Sequence, residues 1–209
     1  DKTKAYIIML NCETDFVGKS SDFVDLANKI IDIAVEKNPT SLEELVNLVI
    51  DGYTVNDHII NIMGKTGEKI TLNYFFYIEA PMVYAYNHQG NRLATIMGFN
   101  KKNVPNIDIV AKEVCMQIAA MNPIAIDKEN VDPSIIAKEI EIGKDQARQE
   151  GKPEDLLEKI ALGKLNKFYK EATLLNQDFV RDPKKTIRQY LSEIDKELKV
   201  TDFKRLMLE

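Results

Sequence analysis

Residues 5–12 read AYIIMLNC, an almost continuous run of apolar and β-prone side chains. Such a run is typical of a strand that is covered on both faces. After a polar turn at residues 13–21, apolar side chains recur at helical spacing, which predicts an amphipathic helix. They are Phe23, Leu26, Ala27, Ile30, Ile31, Ala34 and Val35. The chain is therefore predicted to open with a strand, a polar turn and a helix.

The rest of the first hundred residues predicts two short helices followed by strands. Ser41 with Glu44, and Thr54 with Asp57, have the spacing of a helix-capping pair. Strand-like segments follow at residues 70–80, 82–88 and 92–99, and the sequence Gln89-Gly90-Asn91 predicts a hairpin turn between the last two. These segments indicate an antiparallel sheet covered by helices.

The second half predicts further helices and one strand. An amphipathic helix ends before Asn122-Pro123, and two charge-rich helices between residues 134 and 169 are separated by Gly151-Lys152-Pro153, which predicts a helical hairpin. A third helix follows Asp182-Pro183, and a strand is predicted at residues 201–208. The predicted division is a first unit at residues 1–102, a second unit at residues 103–133 and 181–209, and an inserted hairpin with its return segment at residues 134–180.

The composition excludes several classes of protein. The 209 residues carry 28 basic and 33 acidic side chains, a formal charge of -5, which argues against a general nucleic-acid groove. No apolar run approaches the length of a membrane span, and Cys12 and Cys115, in apolar segments, are too few for a disulfide framework. We therefore expect a cytoplasmic protein with two buried thiols, whose partner is a protein or a small molecule rather than nucleic acid or a membrane.

The sequence offers little support for enzymatic chemistry. Lys65-Thr66 after Gly64 lacks the first glycine of a phosphate-binding loop, and His58 and His88, the only histidines, favour surface or core roles over a catalytic pair. A nucleophilic serine or cysteine would have no convincing base to activate it. No acid, base or metal cluster converges in the sequence, so an enzyme with a pocket between its two units is disfavoured, and no cofactor or metal is expected.

The turn NCETDFVGKSSDF at residues 11–23 places an acidic residue and a large aromatic residue side by side, at Asp15 and Phe16. Turns usually contain Gly, Pro, Asn or Ser instead. From the residues alone the favoured interpretation is that Asp15 caps a helical turn while Phe16 packs inward. The alternative is a finger whose ring inserts into a partner and whose carboxylate perturbs a polar or metal site there.

The stretch LNCETDFVGK at residues 10–19 closely resembles the signature of bacterial elongation factor Ts, the family of nucleotide exchange factors for elongation factor Tu. Other stretches resemble the family in its own order and together cover nearly the whole chain. They are RLATIMGFNK at residues 92–101, MQIAAMNP at 116–123, GKPEDLLEKIALGKLNKFYKE at 151–171 and DPKKTIRQYL at 182–191.

The resemblance implies an α+β fold of two similar subdomains, each a small antiparallel sheet with helices, and a projecting helical hairpin. It also implies a preceding three-helix domain that this chain lacks. The implied partner is elongation factor Tu, with a finger of Thr14, Asp15, Phe16 and Val17 near its magnesium site. A second contact is implied at the end of a later helix, through Met116, Gln117, Ala120, Met121 and Asn122.

The sequence departs from the family pattern at three positions. Met9 stands where the signature usually has Glu, Gly18 where Ala or Ser is common, and Gln117 where His is frequent. The alternative function is a non-catalytic scaffold that uses the helical hairpin for self-association, as in a homodimer, because the hairpin's apolar residues need a cover. Faster GDP release from elongation factor Tu would distinguish exchange from scaffolding.

Overall fold

The computed structural model describes residues 3–208; Asp1, Lys2 and Glu209, at the ends of the predicted units, lie outside the described residues. Helices and small antiparallel sheets confirm the α+β class. The helices are α1 Asp15–Gly18, α2 Ser21–Lys37, α3 Leu42–Val46, α4 Val55–Thr66, α5 Ile107–Met121, α6 Pro133–Gln149, α7 Leu157–Ala172 and α8 Ile187–Ile194. The strands are β1 Lys4–Asn11, β2 Val49–Ile50, β3 Tyr53–Thr54, β4 Thr71–Glu79, β5 Met82–Asn87, β6 Leu93–Phe99, β7 Asp178–Phe179, β8 Asp182–Thr186 and β9 Val200–Met207.

Contacts divide the chain into two compact units, and β9 belongs with the first. The first unit holds residues 1–102 and 201–209, and the second holds residues 103–200. Placing the last strand in the second unit was therefore wrong: β9 lies beside β6 in the sheet β5-β6-β9, and Leu208 N–H donates to the Arg92 carbonyl at 2.8 Å. The separation of residues 134–180 as an insertion stays a prediction.

Strand β1 pairs antiparallel with β4, as its apolar run requires for its backbone groups to be bonded. The register changes between Met9 and Leu10: Met9 lies opposite Tyr74, but Leu10 lies opposite Leu72, so Asn73 is the extra residue of a bulge. The bulge shifts the pairing by one residue for the last two pairs, which end with Asn11 opposite Thr71.

Helices α2, α3 and α4 cover one side of this pair because each has an apolar face and a capped start. Ser20 caps α2, and Ser41 caps α3 through the Glu44 N–H at 3.1 Å. Thr54 and Asp57 form the predicted reciprocal capping box at α4. The resulting core contains Leu10, Phe23, Leu26, Ile30, Ala34, Leu45, Val55, Ile59, Ile62, Ile70, Leu72 and Phe75.

The hairpin between β5 and β6 turns through Gly90 and Asn91, as predicted. Both have a positive φ, of 87° and 56°, a conformation that glycine and asparagine tolerate better than other residues. The turn is closed by His88 N–H, which donates to the Leu93 carbonyl at 2.8 Å. This hairpin brings Arg92 to the edge of the first unit that also carries the 14–17 loop.

In the second unit, α6 and α7 form the predicted helical hairpin. A Cβ added at Gly143 would stand 3.1 Å from the Ala161 Cα, so small residues let the two helices approach closely. The unit also contains α5, α8 and the antiparallel pair β7 and β8. None of the helices in the described part of the chain is long and apolar enough to cross a membrane.

The two cysteines differ in exposure. Cys115 in α5 is fully buried, as predicted, whereas Cys12 is only half-buried. Partial burial and the nearby Glu68 carboxylate raise the pKa of the Cys12 thiol. Neither residue, both being in the described range, forms a disulfide.

Gly98 in β6 provides a test of packing in the first unit. A Cβ there would lie 2.7 Å from both the Ala80 Cβ and the Thr201 Oγ1. We expect Gly98→Ala to lower the free energy of unfolding by about 1–3 kcal/mol through overpacking. Gly64→Ala is the matched control: outside the neighbouring backbone of its own helix no atom lies within 4 Å of its added Cβ, and in a helix it should be neutral or stabilise by about 0.5–1 kcal/mol. Urea titration measures both, and equal stability of the two variants would contradict this packing.

Candidate functional site

The finger of Thr14, Asp15, Phe16 and Val17 forms the start of a single helical turn directly after β1. Thr14 is the N-cap of α1: its backbone is extended, with φ -124° and ψ 152°, and its Oγ1 accepts from Val17 N–H at 3.4 Å. The predicted polar turn therefore contains a short helix. Asp15 is the first residue of that helix rather than its cap.

The Thr14 end of the finger is bonded to a carboxylate that is distant in sequence. Glu68 Oε2 accepts from the Glu13 N–H at 3.0 Å and from the Thr14 N–H at 2.9 Å. The Thr14 hydroxyl donates to Glu68 Oε1. These hydrogen bonds, above all the one from the Thr14 hydroxyl, hold the pKa of the Glu68 carboxyl below its usual range.

The Asp15 carboxylate lies between two cations at the surface. Lys19 Nζ is 3.3 Å from its Oδ2, and Arg92 Nη1 is 3.1 Å from its Oδ1. The hydrogen bond from Lys19, followed by the charges of Lys19 and Arg92, lowers the pKa of Asp15, so the group is ionised at neutral pH. Because all three side chains are largely exposed, each pair is worth little to stability.

The Phe16 ring points into solvent and is 89% exposed. Its neighbour Val17 is half-buried and packs against the core beneath α2 and α4. Next along the turn, Gly18 lies close to the Cys12 thiol, from which an added Cβ would stand only 3.2 Å away. Val17 therefore attaches the turn to the core, while Phe16 is left without packing.

These positions exclude one of the two interpretations of the turn. Asp15 does not cap the helix, because Thr14 does, and Phe16 does not pack inward. The inward-packing interpretation, which the residues alone favoured, was wrong on both counts. A large exposed ring on a held turn is the arrangement that a residue inserted into a partner needs.

The second predicted contact lies at the carboxyl end of α5. Met116 and Met121 are 39% and 43% exposed, and Ala120 and Asn122 are exposed as well. Asn122 ends the helix in the left-handed conformation, with φ 45°, and its N–H donates to the Ile118 carbonyl at 3.1 Å. Four of the five residues can therefore be reached from solvent.

Gln117 is the exception, because its side chain is only 1% exposed. Its Nε2 donates to Gln177 Oε1 at 3.2 Å and to the Asp178 carbonyl at 3.1 Å, and its Oε1 accepts from the Val180 N–H at 2.9 Å. A side chain in this position cannot touch a partner without leaving its bonds. The structure thus corrects the expected direct contact: Gln117 ties α5 to the segment beside β7.

The sequence reasoning missed two residues of this site, Glu68 and Arg92. They are 54 and 77 residues from the groups that they bind. A local pattern cannot report such separations. The available signals were the placement of Glu68 just after the helix-ending Gly67, and of Arg92 just after a hairpin turn.

Within residues 3–208, no group of three or more histidine, cysteine, aspartate or glutamate side chains is placed to hold a metal ion. The two histidines have other contacts: His58 Nε2 lies 2.8 Å from the Ile50 carbonyl, and His88 Nδ1 lies 2.7 Å from the Tyr86 hydroxyl.

Comparison with known proteins gives a consistent result. The family described as "Elongation factor TS" matches residues 13–209. Proteins named elongation factor Ts are similar over nearly the whole chain. The relative from Azobacteroides pseudotrichonymphae is 46% identical over 98% of this chain and 74% of its own. That from Cytophaga hutchinsonii is 46% identical over 100% and 75%, and that from Amoebophilus asiaticus is 46% identical over 97% and 73%.

The family match includes the finger and the end of α5, so both sites lie within the shared region. Matches at this identity, across about three quarters of the relatives' length, establish common ancestry and fold. The chain belongs to the elongation factor Ts family of translation factors.

Proposed function

We propose that this chain is a guanine nucleotide exchange factor that promotes GDP release from elongation factor Tu. The observation that carries the proposal is the finger: its exposed Phe16 ring and ionised Asp15 carboxylate lie on a turn that is bonded to Glu68 at Thr14 and packed against the core at Val17. Family membership supports the partner. The chain would then act in the cytoplasm, where translation occurs.

The mechanism follows from thermodynamic linkage. A factor that binds the nucleotide-free partner more tightly than the GDP form must lower GDP affinity by the same ratio. No bond is made or broken, so the chain acts by differential binding to an open state of the partner rather than as an enzyme.

Phe16 and Asp15 have different roles in the finger. The Phe16 ring has no internal packing to lose, so inserting it into an apolar pocket gains burial without disturbing this chain's core. The Asp15 carboxylate carries negative charge toward the partner's magnesium site, where it competes with the ligands that support the GDP phosphates. Thr14 and Val17 hold the two ends of the turn.

The end of α5 is proposed to bind a different part of the same partner. Met116 and Met121 are flexible apolar side chains, a type suited to adaptable contacts. Ala120 and Asn122 are exposed on the same helix end. This surface increases the affinity of the chain for the partner, whereas the finger weakens the partner's hold on GDP.

A second candidate, self-association through α6 and α7, rests on apolar side chains on the surface of the hairpin. Ile135, Ile142, Leu156 and Leu162 are between 36% and 46% exposed. Association would bury them against a second copy. Sedimentation equilibrium tests this: Leu156→Ser with Leu162→Ser should abolish any dimer, and a monomeric unaltered chain would contradict the candidate.

The finger is tested by Phe16→Ala and Asp15→Ala. Each should slow catalysed GDP release by about 30-fold, the effect of removing a hot-spot contact of about 2 kcal/mol. Stability should change by less than about 0.5 kcal/mol, because both side chains are exposed. Stopped-flow release of a fluorescent GDP measures the rate, and thermal unfolding measures the stability.

Matched controls carry the same changes elsewhere in the first unit. Tyr53→Ala removes another exposed aromatic side chain, which is 64% exposed, and Asp22→Ala removes another surface carboxylate, which pairs with Lys65. Both control variants should promote GDP release at the rate of the unaltered chain. Finger variants that promote GDP release as fast as these controls would refute the insertion mechanism.

The α5 surface is tested by Met121→Ala, with Met207→Ala as control because Met207 is another exposed methionine, at 53%. Met121→Ala should raise the chain concentration for half-maximal exchange by about 5–10-fold, the cost of a moderate interface contact. The maximal rate should be unchanged, since the finger is intact. A lower maximal rate at unchanged half-maximal concentration would contradict this division of roles.

A further inference from the structure

We propose that Glu68 is the positioning residue that holds the finger in its binding conformation before the partner arrives. The inference rests on the proposed exchange function, because the finger's conformation matters only if the finger acts. Glu68 itself need not touch the partner. It would act through the backbone and hydroxyl of Thr14.

The register of the β1–β4 pair brings the two groups together. Asn11 lies opposite Thr71. The chain segments that leave this last pair stay adjacent, and the Glu13 and Thr14 N–H groups of one donate to Glu68 Oε2 of the other.

One carboxylate satisfies three donors in succession. Glu68 Oε2 accepts from the N–H groups of Glu13 and Thr14, at 3.0 and 2.9 Å, and Oε1 accepts from the Thr14 hydroxyl. The Thr14 Oγ1 in turn accepts from the Val17 N–H at 3.4 Å. The chain of bonds thus reaches both sides of Asp15 and Phe16.

Hydrogen bonds at the end of α4 hold Glu68 in position. Gly67 ends α4 in the left-handed conformation, with φ 71°, and its N–H donates to the Met63 carbonyl at 2.9 Å. Glu68 N–H donates to Thr66 Oγ1 at 3.3 Å, and the Thr66 hydroxyl donates to the Ile62 carbonyl at 2.8 Å. Because Ile62 belongs to the core, Glu68 links the finger to the folded body of the unit.

The finger needs this external support because it has little of its own. Helix α1 is only four residues long, and an isolated helical turn is unstable in water. Its most apolar side chain, Phe16, makes no core contact that could fix it. Prior ordering reduces the entropy lost on binding, and a group displaced by about 1 Å can lose about 100-fold in rate.

The central test compares Glu68→Ala, Glu68→Gln and Glu44→Ala. Glu44 is the matched control, because its Oε2 likewise accepts from a threonine, Thr40, at the N–H at 2.7 Å and at the hydroxyl at 3.1 Å, away from the finger. Glu68→Ala should slow catalysed GDP release by about 10–100-fold. Glu44→Ala should promote GDP release at the rate of the unaltered chain.

Glu68→Gln provides the conservative rescue. Its amide oxygen can accept the two backbone N–H groups, and its NH2 group can donate to the Thr14 oxygen. We expect a rate within about threefold of the unaltered chain, since the geometry is kept and only the charge is lost. Glutamine and alanine variants that are equally slow would overturn the positioning role.

A second comparison separates positioning from direct contact. In the Asp15→Ala/Phe16→Ala background, adding Glu68→Ala should slow release no further, because residues that act through one another are not additive. A further loss as large as that in the intact chain would show that Glu68 works independently of the finger, which overturns the proposal.

Amide hydrogen–deuterium exchange gives a readout that does not depend on GDP release from the partner. The N–H groups of Glu13 and Thr14 should exchange at least about tenfold faster in Glu68→Ala, while core amides such as that of Ile30 keep their protection. If Glu68→Ala does not fold, Thr14→Val, which removes only the hydroxyl, should show the same direction of change at Val17. Unchanged protection would overturn the proposal.

The outcomes also separate this proposal from the proposed function. If the unaltered chain does not speed GDP release, the proposed function fails, whatever the amide protection shows. If the unaltered chain and Glu44→Ala both speed release while Glu68→Ala does so equally, the positioning role alone fails.

Discussion

The pairing of β1 with β4 is the constraint on which the rest of the candidate site depends. It places the residues after Asn11 beside those before Thr71, and its bulge adjusts the alignment by one residue. As a result the loop that leaves β1 meets a carboxylate at the end of α4. The same two strands contribute to the core that α2 and α4 cover.

This arrangement explains how an exposed aromatic residue can be both presented and ordered. Val17 and the Glu68 bonds fix the turn, so Phe16 does not have to pack to be held. Lys19 and Arg92 balance the Asp15 charge in the unbound chain. Since these ion pairs are exposed, separating them when a partner binds costs little, and the carboxylate is available to a more strongly charged site.

Local signals in the sequence were sufficient for most elements but not for the contacts between them. The apolar run of β1, the helical spacing of α2 and the Thr54–Asp57 capping box each report structure within a short window, and each was confirmed. The orientation of Phe16 was predicted wrongly from the residues alone, because a turn residue that packs and one that protrudes have the same local pattern. The family resemblance pointed to the correct orientation.

The remaining differences come from long-range pairing. The final strand was predicted, but its place beside β6 was not, since strand order is set by packing rather than by strand propensity. Gln117 shows the same limit: its amide binds a segment about 60 residues later and is buried by it. Glu68 and Arg92 were missed for this reason too.

The central claim, that the Phe16 ring enters the partner beside its nucleotide, can be tested most directly by photo-crosslinking. A benzophenone amino acid at position 16 should crosslink to the nucleotide-binding domain of elongation factor Tu, and excess GDP with magnesium should suppress the product, because the two bindings oppose each other. Crosslinks only to another domain of that partner, or a yield that GDP does not change, would contradict the account.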